Sequence, residues 1–517
     1  MLIGDLLRFN ARRFPTKVGI IDGATRLTWS EANGRACRLA NHLRGWGIYQ
    51  GDRVAILAEN SHRYIETYFA LAKAGVIAVP LNYRLTAREM TSLINHSGSR
   101  ALLLEESYLP VISQIKGDIP GVSRFLVMDT TVPGLDSYEE VLAQASADEP
   151  VAEVSEHDTF AILYTSGTTG LPKGAMLTHR NFLNNCVNQA LADRSRPADI
   201  AFPPTPWYHA GALFFGLTYM YLGCTVVVQR KFEPGEFLAL VERENVTTTL
   251  LIPTMLNMVL HHSDFDCYGL RSLRLIFYGG GPMPVPLLKQ AIARGGCGFT
   301  QGYGLTETLE ATFLVAEDHV LNGTPDRERR LASGGREAVN VEVRIVDDDD
   351  RPLPRGERGE IVVRSASVMK GYWMNPQATA DTLRGGWCHT GDIGYLDEGG
   401  YLFIVDRKKD MIISGGENIY PREIEDVLYT HSAVLEAAVI GIPDEKWGET
   451  VLAVVAPRPG ATATEEELMR YCATRLAGYK RPRRVEFVES LPKNPSGKVL
   501  KRELRQPYWR GKERQLV

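Results

Sequence analysis

The chain has 517 residues, too many for one hydrophobic core, so two or three cores are expected. Hydrophobic residues make up 44% and the formal net charge is −4, which allows large cores and gives no electrostatic ground for nucleic acid as a partner. Seven scattered cysteines without a CxxC pair exclude a disulfide framework and a thiolate zinc site, and fit reduced thiols in the cytoplasm.

In chain order, the first 13 residues read as a short amphipathic helix, and Asp5 breaks the apolar run that a cleaved secretory signal needs. Residues 17–28 read as a β-hairpin turning at Asp22-Gly23. Thr28 with Glu31, and Thr86 with Glu89, have the spacing of a capping box, in which hydroxyl and carboxylate each satisfy a backbone N–H at a helix start. They open predicted helices that reach about Arg44 and His96. Apolar runs at 53–57, 76–80 and 101–104 read as buried strands, with a helix at 64–74. Such alternation predicts a parallel sheet with helices on both faces.

The stretch 161–179, AILYTSGTTGLPKGAMLTH, carries the strongest chemical signal. An apolar strand leads into Thr165, Ser166, Gly167, Thr168, Thr169 and Gly170, then Pro172, Lys173 and Gly174. Glycines let the backbone approach a ligand closely, while hydroxyls, free N–H groups and the Lys173 ammonium can converge on one anion. A polyphosphate fits that description. A plain turn between two strands has little use for a lysine and so many hydroxyls. A Walker loop is excluded, because Gly174 and Ala175 follow Lys173 where that motif needs Ser or Thr.

Residues 203–216, PPTPWYHAGALFFG, place Tyr208 and His209 ahead of Phe214 and Phe215; a lone histidine ordinarily serves a core hydrogen bond. The uncharged run 210–228 is long enough to span a bilayer. Its three glycines and β-branched end instead predict a buried helix followed by a buried strand, and no transmembrane segment. Strands are expected at 246–252 and 273–278, the second running into Gly279-Gly280-Gly281-Pro282, bare backbone on which a flat ring can lie. In Gln301-Gly302-Tyr303-Gly304-Leu305-Thr306-Glu307, Tyr303 could stack on a base, Thr306 donate to a phosphate and Glu307 hold Mg²⁺; Thr306 could also cap a helix start. The acidic run 347–350 reads as a solvated hairpin tip, since neighbouring carboxylates repel and nothing else converges there. Asp392 could accept two hydrogen bonds from a ribose diol. Five charges at 406–410 suit an exposed hinge and a domain boundary, dividing 1–408 from 409–517. The second part shows strands at 434–440 and 451–455, a helix at 464–476, and Lys498 on a Gly/Pro-rich loop, where spacing alone makes it solvated surface.

Taken in order, YTSGTTGLPKG, the aromatic-His segment, the glycine strand end, YGLTE, TGD, DRKKD, SGGENIYP and SGK make the chain resemble the adenylate-forming enzymes: acyl- and aryl-CoA synthetases, luciferases and adenylation domains. The resemblance implies an α/β fold, with a large N-terminal domain of parallel-rich sheets flanked by helices, a β-barrel-like subdomain, and a small mobile α+β C-terminal domain. It implies ATP, Mg²⁺ and coenzyme A as cofactor and co-substrates, and a small-molecule carboxylic acid. By resemblance, the loop from Thr165 to Lys173 holds the β- and γ-phosphates. Gly280, Gly281, Pro282, Gln301, Gly302, Tyr303 and Gly304 surround adenine, and Asp392 and Arg407 hold the ribose. Thr306 meets the α-phosphate and Glu307 the Mg²⁺. His209, Tyr208, Phe214, Phe215, Thr300 and Leu309 border the acid. Lys498 reaches the carboxylate and α-phosphate, Lys409 is the pivot of domain rotation, and Gly415 and Gly416 line the thiol path. With no carrier-protein segment after Lys498, a free-standing acid–CoA ligase is expected, acting on medium-to-long fatty acids. Aryl acids, a luciferase-like oxygenase and a non-catalytic nucleotide sensor are the alternatives. Peripheral membrane contact and a homodimer are left open.

Overall fold

The structure, a computed structural model, describes residues 1–165, 172–493 and 499–510. The predicted caps form as the spacing requires. Thr28 Oγ1 accepts from Glu31 N while Glu31 accepts from Thr28 N at 2.8 Å, opening the helix Trp29–Gly45, and Thr86 with Glu89 does the same for Ala87–Ser97.

One sheet runs in the order Gly371–Tyr372, Lys173–Thr178, Thr159–Thr165, Ile77–Pro80, Arg53–Leu57, Ala101–Leu104, Arg124–Val127 and Asp136–Ser137. From Thr159–Thr165 onward its neighbours pair parallel, as fully apolar short runs buried on both faces do. A second sheet has nine strands, with Thr248–Leu251, Leu275–Tyr278 and Gly298–Leu305 parallel at its centre. The two sheets share one core with the helices His62–Ala74, His179–Ala192 and Ala210–Tyr221 between them. That sandwiched position explains why Ala210–Tyr221 is apolar all round. Among the described residues no helix is long and apolar enough to cross a membrane.

Where a barrel-like subdomain is expected, Val341–Val346, Gly359–Ser365, Cys388–Leu396 and Leu402–Arg407 form a four-stranded antiparallel sheet. A separate sheet of Glu417–Ile419, Ile412–Ser414, Gly448–Pro457, Val434–Asp444 and Arg484–Phe487 carries the helices Pro421–Tyr429 and Glu465–Ala473 on its own apolar core.

Two expectations are corrected. The YGLTE segment does not start a helix. Gly298–Leu305 and Leu309–Leu314 pair antiparallel, and Thr306, Glu307 and Thr308 form the turn between them. Thr308, not Thr306, supplies the local cap, its Oγ1 accepting from Leu305 N at 2.9 Å. The charged break at 406–410 is not an exposed linker either. Asp410 is buried and bonded to Arg505 at 2.6 Å, and Lys408 pairs with Asp348 at 2.8 Å. Charges that a linear reading assigns to solvent are matched here by partners distant in sequence. The acidic run 347–350 is a hairpin tip, as expected, but its carboxylates are engaged by Arg351, Arg384 and Lys408.

Candidate active site

Thr165 and Lys173 are paired at the ends of two antiparallel strands, with Thr165 Oγ1 donating to Lys173 O at 3.4 Å. Ser166, Gly167, Thr168, Thr169 and Gly170 lie outside the described residues. Gly174 serves packing, since a Cβ there would sit 2.6 Å from Ile162 Cγ2. The Lys173 ammonium lies 5.0 Å from the centre of the Tyr372 ring, and Tyr372 donates to Glu307 Oε1 at 2.8 Å. Lys173, Tyr372 and Glu307 thus form one cluster drawn from three distant segments. The short strand Gly371–Tyr372 brings Tyr372 there by pairing with Lys173–Thr178, while Glu307 O accepts from Met369 N at 2.8 Å. Sequence reading misses Tyr372, because nothing about a single tyrosine 65 residues from Glu307 signals the contact.

On the same hairpin as Glu307, Tyr303 donates its hydroxyl to Asp392 Oδ2 at 2.9 Å, and Arg407 Nε approaches Asp392 Oδ1 at 3.4 Å. Asp392 and Arg407 are direct cross-strand partners, so the register of one β-ladder sets this pair. Gly280 has φ +73°, and around Gly281 a Cβ would meet nothing within 4 Å, so the loop offers open bare backbone beside the strand carrying Tyr303. Gln301 lies on the same strand, two residues before Tyr303. Its side-chain oxygen accepts from Tyr278 OH at 3.3 Å, which ties it into the neighbouring strand.

On the acid side, the backbone before the helix Ala210–Tyr221 is pinned by Asn60, which accepts from Trp207 N at 2.9 Å and donates to Thr205 O at 3.1 Å. Tyr208 OH and His209 Nε2 are shut off from solvent, with no hydrogen-bond partner among the described residues. Burial, reinforced by Arg84, pulls His209 down to about 4, so its ring is neutral at pH 7. A neutral imidazole and a phenol without partners fit a polar ligand group. Phe214 and Phe215 are buried, their rings 6.1 and 5.9 Å from Phe277. Leu309 is buried with φ +51°, and Thr300 is fully buried.

Lys498 lies outside the described residues, but the segment after it is anchored. Lys501 pairs with Glu425 at 2.7 Å, and Arg505 donates to Lys409 O at 3.2 Å. Burial draws Lys409 down to about 8 and pushes Asp406 up to about 6. Gly415 and Gly416, at φ +59° and +84°, make the two-residue turn between Ile412–Ser414 and Glu417–Ile419. Two positive φ values in succession are what such a hairpin demands, so this pair has a backbone reason of its own.

Sequence reading also passes over Glu310, a residue only 6% exposed on the strand after Glu307. Burial and then the charge of Asp193 push it up to about 8. An unfolded glutamate releases its proton near pH ~4, while the folded one keeps it, so the wild type should lose stability as pH rises from ~4 to ~8. Glu310→Gln removes that loss. Its melting temperature relative to wild type should therefore be more favourable at pH 8 than at pH 5 by calorimetry; a pH-independent difference would contradict the assignment.

The residues present fit a magnesium nucleotide and an acid: a lysine and a carboxylate share one cluster, an Arg/Asp pair stands beside open glycine backbone, and partnerless polar atoms line the entrance to the apolar helix. Comparison with known proteins agrees with this chemistry. Residues 7–373 match the AMP-binding enzyme family, and 423–498 its C-terminal domain. A feruloyl-CoA synthase from Amycolatopsis sp is 40% identical over 96% of this chain and 97% of its own. The long-chain-fatty-acid–CoA ligase FadD13 of Mycobacterium tuberculosis is 38% identical over 98% of both chains. The crystal structure of the anthranilate CoA ligase AuaEII in complex with anthranoyl-AMP superposes with a TM-score of 0.90 at 27% identity, covering 98% of this chain and 97% of that one. On this end-to-end agreement of sequence and fold, the chain belongs to the AMP-binding enzyme family.

Proposed function

We propose that this protein is an AMP-forming acid–CoA ligase. The reading is carried by the meeting of Lys173, Tyr372 and Glu307 beside Tyr303, Asp392 and Arg407, in a chain that aligns throughout with acid–CoA ligases. A carboxylate does not condense with a thiol directly, because its oxygen is a poor leaving group. In the first step a carboxylate oxygen bonds to the α-phosphorus of ATP, the bond to the bridging oxygen breaks, and pyrophosphate leaves. In the second the thiolate sulfur of coenzyme A, its proton released to solvent, bonds to the acyl carbon, the acyl–oxygen bond breaks, and AMP leaves with the electron pair.

The protein's task is positioning and charge neutralisation. Lys173 with the hydroxyls of its loop holds the β- and γ-phosphates. Gly280 and Gly281 receive adenine, while Asp392 and Arg407 hold the ribose. Lys498 places its charge at the α-phosphate and the carboxylate, Thr306 adds a donor, and His209 borders the acid. Mg²⁺ held at Glu307 would supply further neutralisation of phosphate charge. Tyr372 orients Glu307 through its hydroxyl. Tyr372→Phe should raise the Mg²⁺ concentration needed for half-maximal rate about tenfold, the usual penalty for removing an outer partner of a metal ligand. An unchanged Mg²⁺ titration would remove Tyr372 from this role.

A domain boundary at 408/409 is supported by the change from the ladder ending in Leu402–Arg407 to the separate sheet that begins with Ile412–Ser414. Seven unpaired cysteines support a reducing, cytoplasmic setting. Medium-to-long fatty acids and aryl acids stand level as substrates, since relatives named for each match at nearly equal identity. The test is pyrophosphate release over a panel of fatty, cinnamic and short acids, with and without coenzyme A. Thioester formed from one acid class supports the reading, and no release with any acid overturns it.

A further inference from the structure

Behind Phe214 and Phe215 the core is not uniformly apolar. The sheet face that meets the helices His179–Ala192 and Ala210–Tyr221 carries Thr300 and Glu310, and the first helix and its end add Asn185, Asn188 and Asp193. All five are buried, from 0 to 6% exposed. Glu310 Oε2, Asn185 Nδ2 and both polar atoms of the Asn188 side chain have no hydrogen-bond partner among the described residues, and the Thr300 hydroxyl faces the Asp193 carboxyl. A buried polar atom left unpaired costs more than a typical hydrogen bond returns, so a concentration of them points to a group that belongs there.

The geometry ties this cluster to the acid pocket. A Cβ on Gly302 would lie 2.4 Å from Glu310 Oε2 and 2.5 Å from Phe277 Cζ, so the carboxyl and the ring edge converge on the same bare backbone. Phe277 in turn packs against Phe214 and Phe215. Thr300 pairs with Phe277 across the ladder, two residues before Gly302. Glu310 follows Leu309 directly, and its N–H is held by Asn185 Oδ1 at 3.0 Å, which fixes the strand against the helix.

We propose that Glu310 and Thr300 form the polar end of the acid pocket, selecting carboxylic acids whose far end carries a hydroxyl or neutral amino group over acids ending in plain hydrocarbon. The proposal rests on the acid–CoA ligase reading and names its substrate class. Burial pushes Glu310 up to about 8, so at pH 7 the carboxyl is neutral and can both donate and accept, as a hydroxyl partner requires. A site built to hydrogen-bond such a group rejects the analogue lacking it strongly, because its own polar atoms are then stranded.

The experiment compares matched pairs by pyrophosphate release with coenzyme A: 4-hydroxycinnamate against cinnamate, 4-aminobenzoate against benzoate, and 12-hydroxydodecanoate against dodecanoate. Wild type should prefer the substituted member of at least one pair by on the order of 10²-fold in kcat/KM. Glu310→Leu, close in size and apolar, should erase or invert that preference through loss on the substituted acid. Thr300→Val should move it the same way by a smaller factor. A wild-type preference for the plain member of every pair overturns the proposal while leaving the ligase reading standing. So does an equal loss on both members in Glu310→Leu and Thr300→Val, the result expected if the cluster only holds buried water. Absence of pyrophosphate release with every acid overturns both.

Discussion

Lys498→Ala should lose adenylation by about 10²–10³-fold, the penalty for removing one preorganised charge from a developing anion, while still making thioester from supplied acyl-adenylate. The asymmetry follows from the division of labour. In the first step an ammonium at the α-phosphate offsets charge that builds as pyrophosphate departs. In the second the same volume must be free for sulfur, so the lysine has no part in it. Lys498 lies outside the described residues, but Lys493 and Val499 on either side form a bridge, and the residues that follow are tied down by Lys501 on Glu425 and Arg505 on Asp410. The segment that follows Lys498 is therefore anchored to the hinge residues Lys409 and Asp410. Pyrophosphate exchange and thioester formation, measured separately, decide the matter; an equal loss in both would refute alternation of the C-terminal domain.

Lys409→Pro should do the reverse, sparing adenylation and slowing thioester formation by about 10²-fold, the scale of loss from misplacing reacting groups by an ångström. Lys409 sits in the single helical turn Lys408–Asp410, and its carbonyl accepts from Arg505. Proline fixes its own φ and drives the preceding residue out of helical backbone, so the turn can no longer pass between two arrangements. Accumulation of bound acyl-adenylate in a single-turnover experiment is the expected signature. Lys409→Ala, which keeps backbone freedom, should restore most of the second step. Should both variants behave as wild type, the pivot lies elsewhere.

Much of the fold was legible because its signals are local. The capping boxes at Thr28 and Thr86, the apolar strands around Ala55 and Leu103, and the split of 210–228 into helix and strand depend on neighbours a few residues apart. The family was legible for a second reason: its motifs come as short contiguous runs of the chain. The exposed hinge was misjudged, because burial of charge depends on partners far away, Arg505 for Asp410 and Asp348 for Lys408. The alternative of a helix start at Thr306 fails because strand pairing makes 306–308 a turn, capped by Thr308.

By itself, then, the sequence determined the order of elements and the class of chemistry, both properties of residues adjacent in the chain. Only the tertiary structure decided that Tyr372 holds Glu307 beside Lys173, that Gly415 and Gly416 are required by a hairpin turn, and that Glu310 and Thr300 lie with partnerless polar atoms behind the aromatic wall. Contacts across sheets and between helices carry no periodicity that a linear reading can detect. They exist because burying apolar faces brings distant polar groups together, and those groups must then find one another or a ligand.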